Sequence, residues 1–485
     1  MKHKYIGLTM MLVVIGYVAI SQGIKVESKT NITVSSGSTL KIASGNLVLK
    51  SNASGDASLI DYGIVTYGNG VAKVQRYLSC GKWHLISSPI TNALSGMFAG
   101  NYLKYYNEPT ASYIGIASQT VLLVPGKGYF YWNAGTGFVT KEFSGITNTG
   151  NVTFNYTKNS DGWNLVGNPY PSILDWDAVT PFLPSTLKGG ISLYDPATNA
   201  YKYYIMGGGA ANTATQYISS GQGFLIQAIG MGSLTFTNAM RTHTGAPSFY
   251  KSASTDQMIV LKVTGNNITT QTALRFSNDA TADIDRLMDM CKIMETTPQV
   301  PALYTICQGE KMVLNSLPLS YIDADVTIPV YFEAGADGKY LIRATELESI
   351  PTSISIYLED IWSNYIQDLR LYSQYNFTYN NVGQVRNMLI HFRNNSTGVD
   401  ETESAGGGII CYNTENLLHV NFTSELFGSK EVRAKIEVFT FTGQQIYSAP
   451  TSSLTNQIQL TSSARAIYIV KVTYNNQVYV KKIIL

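Results

Sequence analysis

The feature that most constrains the fold is an internal repeat in the first half of the chain. The run from Trp83 to Pro89 returns 80 residues later as the run from Trp163 to Pro169. Further pairs follow in the same order: Tyr105–Asn107 with Leu193–Asp195, Gly126–Phe130 with Gly221–Leu225, and Phe143 with Phe236. Matching order with unequal gaps indicates two copies of one β-domain with loops of different length.

The composition also favours strands. Charged residues make up 14% of the chain, against roughly a quarter in an average soluble domain. The 33 tyrosines suit a pleated sheet, and the 42 glycines suit its turns. The net charge of +2 leaves no basic stripe for phosphates, so we expect no nucleic acid partner.

These patterns predict an all-β, multi-domain chain. The short alternating strands of the N-terminal piece predict stacked β-arcs or a meander. The expected segments are a signal peptide (1–21), a β-arc or meander segment (22–77), β repeat 1 (78–160), β repeat 2 (161–247), a further β-rich domain (248–395), a linker (396–408) and a C-terminal Ig-like β-sandwich (409–485).

The N-terminus is typical of secretory signal peptides. Lys2 and Lys4 precede an uncharged apolar run from Tyr5 to Ile20, and the small residues that follow predict cleavage between Ser21 and Gln22. The alternative is a membrane anchor, which the run disfavours because spanning a bilayer takes roughly 20 residues.

Two sequence motifs resemble ligand-binding sites, but the residues around them do not fit such sites. A phosphate-binding glycine loop leads into a helix, whereas each Gly-x-Gly here leads into a strand, so we expect a tight turn or close backbone packing. The only helical pattern of the further β-rich domain, Ala280 to Met294, holds three acids and directly follows a fourth, Asp279, without the EF-hand spacing or its central glycine. A solvated face or helix cap is the alternative to calcium for Asp279, Asp283, Asp285 and Asp289. No cofactor and no metal is predicted.

Catalytic motifs such as Gly-x-Ser-x-Gly, His-Glu-x-x-His, a Walker loop or Cys-x-x-Cys are absent from the sequence. Two carboxylate pairs occur, Asp175 with Asp177 and Glu359 with Asp360, and the sequence around Asp175 predicts a helix cap. A glycosidase would need two facing carboxylates. We predict that the chain is not an enzyme and has no catalytic residues. The single, widely spaced histidines after the leader are His84, His243, His391 and His419.

The four cysteines are too few and too scattered for a disulfide framework. Cys291 and Cys307 could pair, or all four could be small buried apolar residues.

Two tyrosine-rich runs suggest a binding surface, Tyr129–Trp132 and Tyr201–Tyr204. Alternate residues of a strand face opposite ways, so half of each run should be core. The other half could stack on sugar rings or contact a partner, because aromatic side chains combine apolar area with a polar tip.

The last eighty or so residues predict a small sandwich. A glycine-rich linker ends at Gly408, seven short strands follow, and Asn475-Asn476 suits a tight hairpin turn. The predicted strands are Ile409–Tyr412, Leu417–Phe422, Ala434–Phe441, Gln444–Ser448, Gln457–Leu460, Ile467–Tyr474 and Val478–Leu485.

Four features of this tail stand out, which are the acidic linker Thr397–Thr402, the segment Glu437–Ile446, the run Ala466–Val472 and the terminal Lys481–Leu485. In these features the tail resembles the type A C-terminal sorting domain of proteins exported by the type IX secretion system of Bacteroidetes. Ala466 stands where the family usually has glycine, and Tyr412–Thr414 replaces its Pro-Asn-Pro. The residues assigned to the sorting motif are Gly443, Ala466, Tyr468, Lys471, Lys481 and Lys482.

The resemblance implies a route to the cell surface or the extracellular space. After signal peptide removal, the tail would engage the type IX translocon, and a surface sortase would remove it, often attaching the body to lipopolysaccharide. The resemblance names no activity for the body. We expect a structural or adhesin-like protein, or alternatively a glycan-binding module or glycan-active enzyme that uses the aromatic repeats.

Overall fold

A computed structural model describes residues 11–14, 17–20, 23–244, 256–294, 297–380, 383–394, 409–414, 417–423, 433–440, 443–459, 467–474 and 477–484. The chain divides into two compact units. The first comprises Met1–Ser254 and Asp285–Thr297, and the second comprises Thr255–Ile284 and Pro298–Leu485.

The first unit begins with parallel strands stacked in three columns. One column is β1, β4 and β9, the next is β2, β5 and β10, and the third joins β3 and β6 to the longer strand β11 (Ala72–Ser79). Such in-register columns form a short β-solenoid that buries its inward side chains. The solenoid strands are β1 (Met11–Val14), β2 (Tyr17–Ile20), β3 (Ile24–Val26), β4 (Asn31–Val34), β5 (Thr39–Ile42), β6 (Leu47–Leu49), β7 (Ser51–Asn52), β8 (Gly55–Asp56), β9 (Ser58–Asp61) and β10 (Ile64–Tyr67).

Strands β1 and β2 lie within the predicted signal peptide, residues 1–21, and pair with the solenoid in the full chain. The predicted cleavage site, Ser21 and Gln22, lies outside the described residues. Signal peptide cleavage stays a prediction.

Two four-stranded sheets follow and share one strand order. The first runs β12-β15-β13-β14, and the second runs β18-β23-β20-β21. Each is flanked by an antiparallel pair, β11 with β16 and β17 with β24. The strands are β12 (Trp83–Ser87), β13 (Tyr102–Asn107), β14 (Ser112–Gly115), β15 (Gly128–Trp132), β16 (Phe138–Gly145), β17 (Val152–Tyr156), β18 (Trp163–Gly167), β19 (Ile173–Asp175), β20 (Leu187–Asp195), β21 (Ala200–Tyr204), β22 (Tyr217–Ile218), β23 (Gly223–Ala228), β24 (Gly232–Phe236) and β25 (Arg241–Thr242).

Helices in the described part of this unit are short. Helix α1 (Trp176–Val179) begins after Asp175, whose side chain accepts a hydrogen bond from the Asp177 backbone N–H. The predicted capping role of Asp175 is therefore confirmed. The 3-10 turns of this unit are Ser95–Phe98, Glu108–Thr110, Thr180–Phe182, Gly209–Ala211 and Asn238–Met240.

A buried ion pair joins Asp61 on solenoid strand β9 to Arg241 on β25, a strand of the small sheet β22-β19-β25. Arg241 Nη1 lies 2.5 Å from Asp61 Oδ1, and Arg241 Nη2 donates to the Leu59 carbonyl at 2.6 Å. Arg241 Nε donates to Ser172, and the guanidinium lies over the Tyr170 ring. These partners compensate the desolvation of both charges.

The second unit is a large, mostly antiparallel sheet that wraps one apolar core. Ten strands run in the order β34-β33-β36-β31-β29-β30-β27-β26-β32-β35. Phe332 on β31 contacts Phe377 on β35 with ring centroids 5.0 Å apart, so distant strands share the core. The strands are β26 (Gln257–Gly265), β27 (Ile268–Ser277), β29 (Ala302–Cys307), β30 (Glu310–Pro318), β31 (Thr327–Glu333), β32 (Gly338–Thr345), β33 (Ile354–Asp360), β34 (Tyr365–Asp368), β35 (Gln374–Tyr379) and β36 (Arg386–Asn394), with helix α2 (Ser320–Asp323) and a 3-10 turn at Leu347–Ser349.

The predicted helical stretch from Ala280 to Met294 is not a helix. It forms turns and the short strand β28 (Met290–Cys291). From Asp285 onward it belongs to the first unit, where the Arg286 carbonyl accepts a hydrogen bond from the Gly189 backbone N–H. A backbone carbonyl that bonds to another segment is not available for a helical bond, so tertiary contacts outweigh the helical pattern.

The tail forms two small sheets of the second unit, β37-β38-β41 and β40-β39-β42-β43. Leu418, Val420 and Ile458 from the first sheet share an apolar cluster with Ile436 and Val470 from the second. The predicted all-β fold is confirmed, although the Asn475-Asn476 turn lies outside the described residues. The strands are β37 (Ile409–Thr414), β38 (Leu417–Phe422), β39 (Ala434–Thr440), β40 (Gln445–Thr451), β41 (Thr455–Gln459), β42 (Ile467–Tyr474) and β43 (Gln477–Ile484).

Candidate functional site

The two repeat sheets meet through equivalent backbone contacts. The Ser87 N–H donates to the Gly221 carbonyl at 3.0 Å, and the equivalent Gly167 N–H donates to the Gly126 carbonyl at 2.9 Å. Two isolated β-bridges at the junction are equivalent in the same way: Ile86 pairs with Gln222, and Val166 pairs with Lys127. The junction therefore has an internal pseudo-two-fold symmetry.

The paired glycines make this junction possible. A Cβ on Gly128 would lie 2.4 Å from the Val166 carbonyl oxygen, and one on Gly223 would lie 3.0 Å from that of Ile86. Gly126 and Gly221 adopt φ values of +79° and +67°, which suit glycine. Each Gly-x-Gly therefore serves a turn and a close backbone approach, as expected from the sequence.

A cleft of about 220 Å³ lies beside this junction in the first unit. Tyr129 and Tyr131 on β15 are buried in the core, whereas Phe130 between them faces the cleft. This alternation follows from the period of a strand. Seven of the thirteen lining residues are aromatic: Trp83, Tyr106, Tyr113, Phe130, Asp161, Trp163, Tyr194, Asn199, Tyr201, Leu225, Ile293, Met294 and Thr297.

The cleft lining follows the pseudo-symmetry. Trp83 and Trp163 occupy equivalent positions on β12 and β18. The hairpin partners Tyr106 and Tyr113 correspond to Tyr194 and Tyr201. Each of the two copies of the sequence repeat thus supplies one aromatic wall of the cleft.

The aromatic side chains of the first wall hold one another in place. Trp83 stacks on Phe130 with ring centroids 4.6 Å apart, and Tyr113 stacks on the same ring at 5.2 Å. Tyr194 meets Phe130 edge to face at 5.4 Å. Such pairs are worth about 0.5–1.5 kcal/mol each beyond burial, so the wall is preorganised.

Polar groups are few and grouped around one carboxylate. Asp161 Oδ2 accepts a hydrogen bond from the Tyr106 hydroxyl at 2.6 Å, and Oδ1 accepts from the Trp163 backbone N–H at 3.0 Å. Burial, together with the bond to Asp161, raises the pKa of Tyr106 far above its ordinary value. The Tyr113 and Tyr201 hydroxyls lie 3.4 Å apart.

Glu108 supports the loop that carries Asp161. Its carboxylate is buried and accepts backbone N–H bonds from Asn159, Ser160 and Gly162 at 2.6–3.1 Å. Burial alone would raise the pKa of Glu108, but these bonds stabilise the anion and lower the pKa to about 2. Glu108 is thus a positioning residue for Asp161.

The segment Asp285–Thr297 supplies the remaining wall through Ile293, Met294 and Thr297. The Tyr203 hydroxyl accepts from the Ile293 N–H at 3.0 Å and donates to the Ile293 carbonyl at 3.2 Å.

The carboxylate pairs named from the sequence do not line this cleft. Glu359 contacts His391 Nε2 at 2.9 Å and accepts from Asn421 Nδ2 at 3.0 Å. Asp360 forms a buried ion pair with Arg386. Asp175 caps α1, so each of these carboxylates has a structural partner.

The four histidines are buried or half-buried. His84 Nε2 contacts the Ser79 carbonyl, His243 lies between Thr33 and Ser58, and burial lowers the pKa of all four imidazoles. In the described ranges, no group of three or more His, Cys, Asp or Glu side chains could hold a metal ion. None of the four cysteines, all of which lie among the described residues, forms a disulfide.

The sorting-motif residues are distributed over the tail sandwich. Gly443 turns the β39–β40 connection with φ +86°, and Tyr468 is buried on β42. Lys471 Nζ lies 3.3 Å from Glu437, and Lys481 Nζ lies 3.8 Å from Asp325. The backbone of Lys482 pairs with Ile469 on β42. Ala466 lies outside the described residues.

Sequence reasoning identified the aromatic runs but missed Asp161, Glu108 and the Ile293–Met294 wall. The position of Asp161 next to Gly162-Trp163, at the start of the second repeat, is a signal that could have indicated it. Among the described residues, the structure contains no helix long and apolar enough to cross a membrane.

Comparison with known proteins gives two family matches. Residues 414–485 match the secretion system C-terminal sorting domain, which confirms the resemblance of the tail and implies secretion by the type IX machinery to the cell surface or extracellular space. No curated protein matches the chain.

A weak structural similarity is to a β-D-glucuronidase of Dictyoglomus thermophilum, at 8% identity and a TM-score of 0.12. It covers 48% of this chain and 44% of that one, and such a low TM-score supports no conclusion on fold or activity.

The other family match spans residues 6–391, most of the chain. The protein therefore belongs to the family described as domain of unknown function DUF8693 and carries a secretion system C-terminal sorting domain.

Proposed function

We propose that this protein is an adhesin-like cell-surface protein whose body binds a glycan in the aromatic cleft between its repeats. The observation that carries the proposal is the cleft itself, in which aromatic rings from both repeats surround the Asp161 carboxylate. The type IX route supports a role outside the cell, where glycans are abundant ligands.

The chemistry of the cleft suits a sugar ring. A pyranose has apolar C–H faces that pack on aromatic rings and a rim of hydroxyls that need polar partners. The Trp83–Phe130–Tyr113 stack offers apolar edges, while Asp161, Asn199 and the tyrosine hydroxyls offer acceptors and donors. The volume of about 220 Å³ is below the roughly 300–1,000 Å³ of sites for drug-sized ligands. We therefore expect one sugar unit to enter.

Binding is favoured over hydrolysis. A glycosidase of the usual kind uses two carboxylates about 5–10 Å apart across the scissile bond. Asp161 is the one carboxylate among the described lining residues, and it already accepts bonds from Tyr106 and Trp163. A glycan-active enzyme remains the alternative function, and release of reducing sugar by the purified body would support it.

We also propose three processing steps during export of the protein. The signal peptide is cleaved after Ser21, a surface sortase removes the tail, and the body is attached to lipopolysaccharide. Deleting residues 409–485 in the native host tests this route. We expect the shortened chain to be retained in the periplasm, and its continued appearance on the surface would refute sorting by the tail.

The binding test is a titration of the purified body with soluble glycans, followed by tryptophan fluorescence. Trp83 and Trp163 line the cleft, so an occupying sugar should change their emission. Tyr201 lines the cleft, and Tyr201→Ala should weaken binding roughly tenfold by removing one ring contact. Tyr102→Ala is the matched control, because Tyr102 is 60% exposed and lies outside the lining. A glycan set that shifts no emission, or equal effects of the two substitutions, would refute the site.

A further inference from the structure

A buried lysine and a buried cysteine meet side chain to side chain in the first unit. Lys188 on β20 is 7% exposed, and Cys291 on β28 is 2% exposed. Lys188 Nζ lies 2.9 Å from Cys291 Sγ. Neither residue has a role in the proposed glycan site.

The surrounding contacts hold the two side chains together. Next to Lys188, the Gly189 N–H donates to the Arg286 carbonyl at 2.8 Å, and Arg286 Nη1 donates to the Leu187 carbonyl at 2.7 Å. On the other side of Cys291, Tyr203 holds both backbone groups of Ile293. The segment is therefore fixed against β20 and β21 at both ends of the Lys–Cys contact.

This contact is chemically unusual. A buried ammonium is costly unless it is paired, and the partner here is a sulfur atom rather than a carboxylate oxygen. Oxidants attack the sulfur of a cysteine, and the Lys188 nitrogen lies within hydrogen-bond distance of this sulfur. When sulfur is oxidised, the adjacent amine is the nearest nucleophile.

We propose that Lys188 and Cys291 form a redox modification site, in which dioxygen joins Lys188 Nζ to Cys291 Sγ through one bridging oxygen atom. The amine loses one hydrogen and the thiol loses one, and dioxygen is reduced by four electrons. One of its oxygen atoms enters the N–O–S bridge, and the other leaves as water. Two equivalents of a dithiol reductant reverse the step, returning the amine, the thiol and one water.

The bridge would secure a wall of the cleft. Cys291 lies two residues before Ile293, which lines the cleft, and 103 residues separate the bridged positions. A crosslink that closes so long a loop restricts the unfolded chain strongly. We expect the oxidised protein to unfold at a temperature higher by about 10 °C than the reduced protein. This inference does not depend on the proposed glycan binding.

The test is peptide mass spectrometry of the full-length protein, incubated in air-saturated buffer or kept anaerobic with dithiothreitol. The proposal predicts, in the air sample alone, a joined pair of peptides that contains Lys188 and Cys291. Its mass should equal the sum of the two peptides plus one oxygen atom and minus two hydrogen atoms. Dithiothreitol should restore the separate peptides, with Cys291 again open to alkylation after denaturation.

Two variants identify the bridged atoms. Lys188→Met and Cys291→Ser should each abolish the joined peptide and the shift in unfolding temperature between air and reductant. Cys80→Ser, at a half-buried thiol, should leave both unchanged. Air-treated wild-type protein that contains only separate peptides, or only Cys291 sulfenic or sulfinic acid, would overturn the proposal without reference to any variant.

Discussion

Gly128→Ala tests the symmetric junction that places the two aromatic walls. The added Cβ would lie 2.4 Å from the Val166 carbonyl oxygen and 2.9 Å from Leu165 Cγ, whereas Cβ contacts in proteins essentially never fall below 3.0 Å. The sheets must separate, which strains the 2.9 Å bond from the Gly167 N–H to the Gly126 carbonyl. Overpacking costs about 1–3 kcal/mol, and a weakened hydrogen bond adds about 1 kcal/mol. We expect a loss of about 3 kcal/mol in the free energy of unfolding of the first unit.

The assay is urea unfolding followed by tryptophan fluorescence, because four of the five tryptophans lie in the first unit. A loss of this size lowers the urea midpoint by about 1 M. Gly115→Ala is the matched control, since its Cβ would meet no atom within 4 Å, and we expect a change within about 0.5 kcal/mol. Equal midpoints for the two variants would refute the close-approach explanation of the paired glycines.

Three further substitutions probe the supports of the fold. Glu108→Gln should cost about 2 kcal/mol at pH 7, as bonds to a charged group are lost. The Glu108 anion stabilises the fold fully above its unfolded pKa near 4.5, and this stability is lost as pH falls towards 2. The difference in melting temperature between the wild type and Glu108→Gln should therefore shrink over this range. A difference that does not change with pH would contradict this. Arg241→Met should lower the free energy of unfolding by about 3–5 kcal/mol, because it leaves Asp61 buried and unpaired. Adding Asp61→Asn should restore part of this loss in chemical denaturation. A double variant no more stable than Arg241→Met would argue against the Arg241–Asp61 ion pair. Asn421→Ala should destabilise the second unit by about 1–2 kcal/mol, because Glu359 loses a buried partner, and an unchanged thermal transition of that unit would contradict it.

The sequence predicted what depends on local periodicity. The period of two along Tyr129–Trp132 correctly predicted that half of this run, Tyr129 and Tyr131, is core, and the strands of the tail fall close to the predicted ranges. The Gly-x-Gly motifs were correctly assigned to turns or close packing, because a strand rather than a helix follows each of them.

The parts that failed depend on contacts between distant segments. The acidic stretch from Ala280 to Met294 has a helical pattern, yet its second half forms hydrogen bonds with β20 of the first unit, about 100 residues earlier in the sequence. The role of Asp161 required the distance from its carboxylate to the Tyr106 hydroxyl, and that of Glu108 required three backbone N–H groups from another loop. No local pattern encodes such distances.

The central claim is that the exported body acts at the cell surface through the aromatic cleft. Its most direct test is adhesion of intact native-host cells to immobilised glycans, with Tyr201→Ala introduced into the full-length protein and surface display checked by antibody. We predict unchanged display and adhesion reduced roughly tenfold, with Tyr102→Ala cells behaving as wild type. Wild-type adhesion by Tyr201→Ala cells that display the protein normally would contradict it.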